Sequence, residues 1–397
     1  MPSTSQRIYA FMDFGTTEWE RNLDEFDKYV MNYIPIHFIR LSNMKFAERN
    51  DVRKHFRVSV SRQKCDRHPA SHVKYAVLSH RWLDEGEPTY RDMKSGTAKG
   101  RGYQKLKNFC EKARAYGMEF AWSDTCCIDS TNSTEVDESI RSMYRWYFNS
   151  DICIIHLAQS ETIEDILYDE WTKRGWTLQE LLAPVNIKKT EVMTILSLAT
   201  GIPHGDLWVF RPGQVRVDER MAWAARRETT RVEDVAYSLI GIFDVNLQTS
   251  YGEGGERAFC RLIEAIMQGG DPSVLNWTGE PLLYKSSRAF PRSPKNFVGQ
   301  TLRLPPIHER LEMTTTGRGL RLPLVILPLT SGDAPQAGWV TFQLWKTVES
   351  EIYSRAADYL EHRSYQFALG IVNYTIGSSR KACWPWGLIH PNYLVWA

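Results

Sequence analysis

Three short apolar runs, spaced by amphipathic stretches, constrain this chain more than anything else in it. Residues 75–79 (YAVLS), 119–124 (EFAWSD) and 151–157 (DICIIHL) are rich in β-branched and aromatic side chains, the composition of strands buried on both faces. Between the first two runs, residues 103–117 place Leu106, Phe109, Cys110 and Ala113 at the i, i+3, i+4, i+7 spacing of one helical face, and Gly117 supplies a stop. Between the second and third, Ile140, Met143, Tyr144 and Tyr147 form another such face, with Thr134 and Asp137 resembling a capping pair at its start. A further helix is expected over about residues 165–183, ended by Pro184. Strand and helix alternating in this way predict an α/β fold with a parallel sheet flanked by helices. Ligands bind such sheets beyond the carboxyl ends of the strands, so Ser79 to Asp84, Asp124 to Asp129 and the loop after Leu157 are expected to converge on one crevice.

Around this unit the chain divides into four expected regions. Residues 1–72 read as an irregular lead-in, 73–190 as the α/β domain, 191–270 as a helical extension and 271–397 as a β-rich module. The extension carries two expected helices, 232–243 (Val232, Val235, Ala236, Leu239, Ile240) and 256–268 (Phe259, Leu262, Ile263, Ile266). The last region has Pro-punctuated apolar runs at 320–329, 338–345 and 365–374, the texture of an antiparallel β module.

Composition narrows the function. With 49 basic against 47 acidic side chains, the formal charge of +2 gives no global field for nucleic acid or an anionic membrane, and neither partner is expected. Seven cysteines, an odd number, several of them inside apolar runs, fit reduced thiols and a cytoplasmic setting. The acidic N-terminal stretch is unlike a secretory signal, and no window approaches 18 uninterrupted apolar residues, so no membrane span is expected.

Several constellations invite chemistry. Cys65, His68 and His72 have ligand-like spacing, but three groups fall short of a structural zinc site, and no metal is expected. Cys126 and Cys127 follow a strand, where a nucleophile can sit, yet no histidine adjoins them in sequence; packing is the competing reading. The glycines of residues 251–255 (YGEGG) offer backbone N–H groups as phosphate loops do, but lack the Lys-Ser/Thr of a P-loop and suit a plain turn before a helix. In residues 174–182 (RGWTLQELL), Trp176 and Glu180 are four apart and share a helical face. Bordering a crevice, that carboxylate suits a sugar oxocarbenium ion; otherwise it is a helical Glu beside a core Trp.

Four ordered motifs carry a family resemblance. They are 75–82 (YAVLSHRW), 120–129 (FAWSDTCCID), 142–147 (SMYRWY) and 174–180 (RGWTLQE), with looser similarity through 234–243 (DVAYSLIGIF) and 251–254 (YGEG). In order and spacing they resemble the fungal heterokaryon-incompatibility (HET) domain. The resemblance implies a protein that triggers cell death when genetically different fungal cells fuse, with a fold like Toll/interleukin-1 receptor (TIR) domains, a flavodoxin-like parallel sheet. Residues 77–81 are similar to the first-strand motif of TIR domains, and 174–181 to their helix bearing a Trp and the catalytic Glu of NAD cleavage. The resemblance thus makes Glu180 the expected catalytic residue of an NAD glycohydrolase, with NAD as substrate and no further cofactor. Ser79 and Arg81 are placed for the ribose or a phosphate, Trp82 or Trp176 for a base, and Asp124 at the same strand edge. Self-association on activation and a separate receptor protein are the expected partners. The rival reading is a non-catalytic TIR-like signalling or oligomerisation adaptor; a thiol hydrolase ranks last. Residues 83–102 depart from the TIR pattern, being long and rich in Gly and Lys, and leave the phosphate contacts unassigned.

Overall fold

In the computed structural model, described for residues 18–62, 72–184, 192–282, 289–299, 310–316, 319–322 and strand segments within 324–395, the chain divides into two compact units, residues 1–156 and 157–397. The helix α1 (Glu18–Tyr33) opens the first unit and buries Leu23, Phe26, Tyr29 and Val30, the i, i+3, i+6, i+7 stripe of an amphipathic helix. A hairpin follows, β1 (His37–Arg40) and β2 (Lys45–Glu48), turned where Met44 takes a left-handed φ of 57° and Asn43 Oδ1 accepts from the Lys45 N–H at 3.0 Å. The helix α2 (Arg49–Arg62) then packs on α1, with Arg53 and Arg57 both facing Asp27 at 3.6 and 3.4 Å.

The expected strands appear as β3 (Tyr75–His80), β4 (Phe120–Trp122) and β5 (Ile152–His156). β3 lies between the other two and is parallel to both, Tyr75 opposite Phe120 and Ala76 opposite Ile152. Every residue of β3 is buried, Tyr75 to Leu78 as an apolar run requires and the polar Ser79 and His80 with them. Among the described residues the sheet has five strands in the order β2-β1-β4-β3-β5. It is mixed: β1 runs antiparallel to β4, with Ile39 opposite Ala121, and antiparallel to β2. The expected lead-in is thus partly sheet. Its four-residue strands are too short for a period-two pattern to stand out, and β1 finds its partner some 80 positions away.

Between the parallel strands lie α3 (Tyr90–Ser95), α4 (Gly100–Ala115) and α5 (Ser133–Phe148). α4 buries Leu106, Phe109, Cys110 and Ala113 as its spacing predicts, and Gly117 is left-handed at φ 79° just past its end. α5 buries Ile140, Met143, Tyr144 and Tyr147, but it is capped by Asn132, whose side chain accepts from the Glu135 N–H, and not by the expected Thr134 and Asp137 pair. Tyrosine and tryptophan rings fill the core under the sheet: Tyr75 donates its hydroxyl to Trp146 O at 2.6 Å, Tyr147 to Leu78 O at 2.8 Å, and Trp122 meets Trp146 edge-on at 5.7 Å.

In the second unit, the helix expected over 165–183 is broken into 3-10 turns at Glu164–Leu167 and Glu170–Lys173 and the short helix α6 (Thr177–Leu182). Asp169 causes the first break, its carboxylate accepting from the N–H groups of Trp171 and Gln159 and from the Ser160 hydroxyl in place of helix bonds. Gly175 causes the second. Its N–H donates to Glu228 O at 2.8 Å, and a Cβ at this position would lie 2.5 Å from Thr229 Cγ2.

Helices α7 (Met193–Thr200), α8 (His204–Trp208) and α9 (Val217–Ala224) follow. The helix expected over 232–243 is two, α10 (Asp234–Tyr237) and α11 (Ile240–Phe243), and Val232, expected on its apolar face, is exposed. α12 (Gly255–Met267) buries Phe259, Leu262, Ile263 and Ile266 as expected. Beyond a small ribbon, β6 (Thr314–Thr316) with β7 (Gly319–Arg321), the described segments form an antiparallel sheet in the order β10-β9-β8-β11-β12-β13. Its strands are β8 (Leu324–Ser331), β9 (Trp339–Leu344), β10 (Glu351–Arg355), β11 (Ala368–Val372), β12 (Leu388–His390) and β13 (Tyr393–Val395). Among the described residues no helix is long and apolar enough to cross a membrane.

Candidate functional site

Parallel neighbours end at the same edge, so the residues just beyond β3 and β4 meet. His80, the last residue of β3, and Asp124, two past β4, join through Nε2 and Oδ1 at 2.8 Å. Trp82 donates its indole N–H to the other oxygen of Asp124, also at 2.8 Å, and leaves the rest of its ring exposed. From α4, Lys105 pairs with Glu87 and donates to Arg81 O at 3.3 Å, while the Leu83 N–H donates to Glu87 Oε1 at 2.7 Å. His80 Nδ1 lies 4.0 Å from the same Glu87 oxygen. Burial pushes the Asp124 carboxyl up, but the charge and hydrogen bond of His80, the Trp82 N–H and the charge of Lys105 outweigh it and hold it below its ordinary value.

Of the residues expected here, Arg81, Trp82 and Asp124 stand together at the strand edge; Arg81 is half-buried and faces the exposed Asp84 at 3.4 Å. Ser79 is wholly buried inside β3. His80, Glu87 and Lys105 are members that sequence reasoning did not single out. Lys105 carried a signal: it adjoins Leu106 on the buried side of an amphipathic helix, where an ammonium is costly without a partner.

Glu180 and Trp176 belong to the second unit. Glu180 lies on α6 with 2% of its surface exposed. Nearby, Arg227 donates from Nη1 to Arg174 O at 2.8 Å and to the Thr177 hydroxyl oxygen at 2.9 Å. Burial lowers the Arg227 guanidinium to about 10, against the opposing charge of Glu180. Trp176 is half-buried and donates its indole N–H to Asp234 Oδ2 at 3.0 Å; the Tyr251 hydroxyl donates to Asp234 Oδ1 at 2.8 Å. Burial raises the Asp234 carboxyl despite these two donors. The shared helical turn of Trp176 and Glu180 is present, with Glu180 N–H donating to Trp176 O at 3.4 Å, yet the two side chains engage different partners.

The remaining constellations resolve differently. Cys126 and Cys127 are both buried, and its neighbour Cys127 together with burial pushes the Cys126 thiol well up, the reverse of an activated nucleophile. The N–H groups of Gly252 and Gly254 both donate to Glu233 Oε1, at 2.9 and 3.1 Å, so the glycine loop before α12 holds a carboxylate of its own chain. Cys65 and His68 lie outside the described residues, and among the described residues no His, Cys, Asp and Glu cluster could hold a metal.

Comparison with known proteins bears on this geometry. The chain is 42% identical over 216 residues to the vegetative incompatibility protein HET-E-1 of Podospora anserina, a stretch covering 48% of this chain and 16% of that protein. The chain therefore spans only a small part of the length of this relative. No solved structure gives a significant match. Residues 75–164 match the family model described as Heterokaryon incompatibility protein (HET), a segment that holds β3, β4, β5 and the whole His80, Asp124 and Lys105 cluster.

Proposed function

We propose that this chain is an effector of heterokaryon incompatibility that acts on NAD through a TIR-like fold, releasing nicotinamide. The match of residues 75–164 to the HET family, over the segment that assembles the strand-edge cluster, carries the incompatibility reading. The NAD reading rests on the similarity of residues 174–181 to the TIR helix and on the burial of Glu180.

The chemistry needs little apparatus. The bond between ribose C1′ and the pyridinium nitrogen breaks, and its electron pair leaves with nicotinamide, which departs neutral without a general acid. Water adds to C1′ and gives up a proton, producing ADP-ribose. The protein's task is to stabilise positive charge developing on the ribose, and a carboxylate held away from water, as Glu180 is, opposes that charge most effectively. The reading gives Glu180 and Trp176 the cleavage chemistry.

One observation favours the adaptor alternative. Arg227 is a buried cation whose charge acts on Glu180, the arrangement of a structural ion pair. The deciding experiment incubates the purified, concentrated full chain with NAD and measures free nicotinamide. Glu180→Gln keeps size and hydrogen bonding but removes the charge, and is expected to lower turnover at least about a hundredfold, the usual cost of losing an electrostatic stabiliser, with an unchanged circular dichroism spectrum. Glu138→Gln is the control, because Glu138 makes a half-exposed pair with Arg49 at 2.9 Å. Turnover surviving Glu180→Gln but lost in Glu138→Gln would reverse the carboxylate roles. Cell killing unaffected by either substitution would replace the enzyme with the adaptor.

A further inference from the structure

Glu180 can stabilise charge on a ribose only by touching it, and a side chain with 2% of its surface exposed meets nothing from outside until a cover moves. One cover is legible within the second unit. Residues 225–233 connect α9 to α10 without a helix or strand of their own, and they cross the entry to α6. Their backbone is bonded to that entry twice: the Glu228 N–H donates to Lys173 O at 2.7 Å, and Glu228 O accepts from the Gly175 N–H at 2.8 Å. At the surface, Arg174 donates from Nη1 to the Thr230 hydroxyl oxygen at 3.2 Å.

The side chains of this connection are divided. Arg226, Glu228, Thr230, Arg231 and Val232 are exposed and Thr229 is half-buried, so from 226 to 232 Arg227 alone is buried. It is also the residue whose charge acts on Glu180. Arg227 Nη1 donates to Arg174 O and to the Thr177 hydroxyl oxygen, but its buried Nη2 has no hydrogen-bond partner, and on α6 the buried Gln179 amide nitrogen has none either. A charged anchor with an unmet donor, on a segment that otherwise faces water, regains hydration when it leaves. The contact is therefore releasable in a way that an apolar anchor is not.

We infer that residues 225–233 are an autoinhibitory strap with Arg227 as its latch: in the resting chain Arg227 opposes the charge of Glu180, the strap keeps Glu180 covered, and activation displaces the strap. The inference rests on the reading of Glu180 as the carboxylate that acts on NAD, and adds to it how the site is regulated. It gives the Arg227 contact a role in an enzyme, where a permanent pair favours the adaptor. Opening is a population shift, since any change that disfavours the closed strap uncovers Glu180 and frees its charge together.

Gly175 offers a way to pry the strap open without altering Arg227 or Glu180. A Cβ there would lie 2.5 Å from Thr229 Cγ2, an atom of the strap, and 3.5 Å from its next neighbours, Glu228 O and Ser238 Oγ. Gly175→Ala is expected to raise carbodiimide labelling of Glu180 in the full chain, read by mass spectrometry, about tenfold, the scale of one overpacked methyl group. Nicotinamide release from NAD should rise with it. Adding Thr229→Ser removes Cγ2, keeps the hydroxyl and should return both readouts to the parent level, which a variant that merely unfolds does not do. Asp218, buried in α9, should stay unlabelled throughout. Arg227→Gln should raise both readouts as well. The strap is overturned if Gly175→Ala leaves the labelling unchanged, if Thr229→Ser fails to reverse it, or if Glu180 of the parent is labelled as readily as the exposed Glu228. Release that falls in Arg227→Gln with labelling unchanged would also overturn it, since Arg227 would then serve the site and not lock it. Labelling that rises and reverses as expected in a chain that never releases nicotinamide would uphold the strap over Glu180 and remove the NAD reading instead.

Discussion

Each unit contains an aspartate that accepts a hydrogen bond from an indole, and the two carboxyls are driven in opposite directions. Asp124 takes the Trp82 N–H at 2.8 Å and Asp234 the Trp176 N–H at 3.0 Å. Asp124 lies below its ordinary value because His80, the Trp82 N–H and the charge of Lys105 outweigh burial; Asp234 lies above it because burial, with the charge of Glu233, outweighs the Trp176 and Tyr251 donors and the charge of Arg231. The same pairwise contact therefore sits beside a carboxyl whose charged form is favoured in one place and disfavoured in the other. What decides is the next layer of residues: around Asp124 it adds the charge of Lys105, around Asp234 the opposing charges of Arg231 and Glu233.

The largest expected effect comes from removing the charge at each site. Asp124→Asn takes the buried carboxylate away from His80 and from the charge of Lys105, and should cost ~3 kcal/mol in urea unfolding, the scale of a broken buried charge contact. Asp234→Asn can still accept from Trp176 through its amide oxygen while its NH2 donates to the Tyr251 oxygen, and should cost less than about 1 kcal/mol. Equal losses at the two sites would break the comparison.

The same distinction explains how much was legible in the sequence. β3, β4 and β5 could be read because buried strands announce themselves in consecutive residues, and α4 and α12 because their apolar stripes run for several turns. The hairpin β1–β2 could not, since its pairing with β4 is decided by tertiary contact and not by four-residue strands. Helix 165–183 failed because Asp169 and Gly175 look tolerable in a helix, while their long-range partners Gln159 and Glu228 are invisible locally. At the strand edge, Arg81, Trp82 and Asp124 follow from strand ends alone. Glu87 and Lys105 do not, because the α4 approach permitted by Gly102 brings them together from 18 positions apart.

A second, intermediate effect should be seen with pH. Asp218 resembles Asp234: burial raises it to about 6, although Asn276 donates to it at 2.6 Å and the Glu219 N–H at 2.9 Å. A carboxyl raised on folding binds its proton more tightly in the native state, so stability falls as pH rises from about 4 to 6, by on the order of 2 kcal/mol. A depressed carboxyl such as Asp124 acts oppositely, contributing stability above about 4 that is lost as pH falls through its lower native value. Amide exchange resolved by peptide should show Asp218→Asn abolishing the pH 4–6 slope in α9 and leaving β3 and β4 untouched. A slope that persists in that variant would mean that other groups set it.

The smallest effect isolates the indole itself. Trp82→Phe removes one donor from a carboxylate that keeps His80, and its ring is already exposed, so its cost should be ~0.5–1 kcal/mol and independent of pH between 6 and 8, where Asp124 is ionised throughout. Trp176→Phe takes one of two donors, the other being the Tyr251 hydroxyl, from Asp234, whose anion burial already disfavours. The loss should be ~1–2 kcal/mol, because burial makes each donor to the anion count for more. The cost of Trp176→Phe therefore exceeds that of Trp82→Phe, and denaturant titrations between pH 6 and 8 read both. If the two losses are equal, the surroundings of the two carboxyls do not distinguish them, and the contrast between the two aspartates fails.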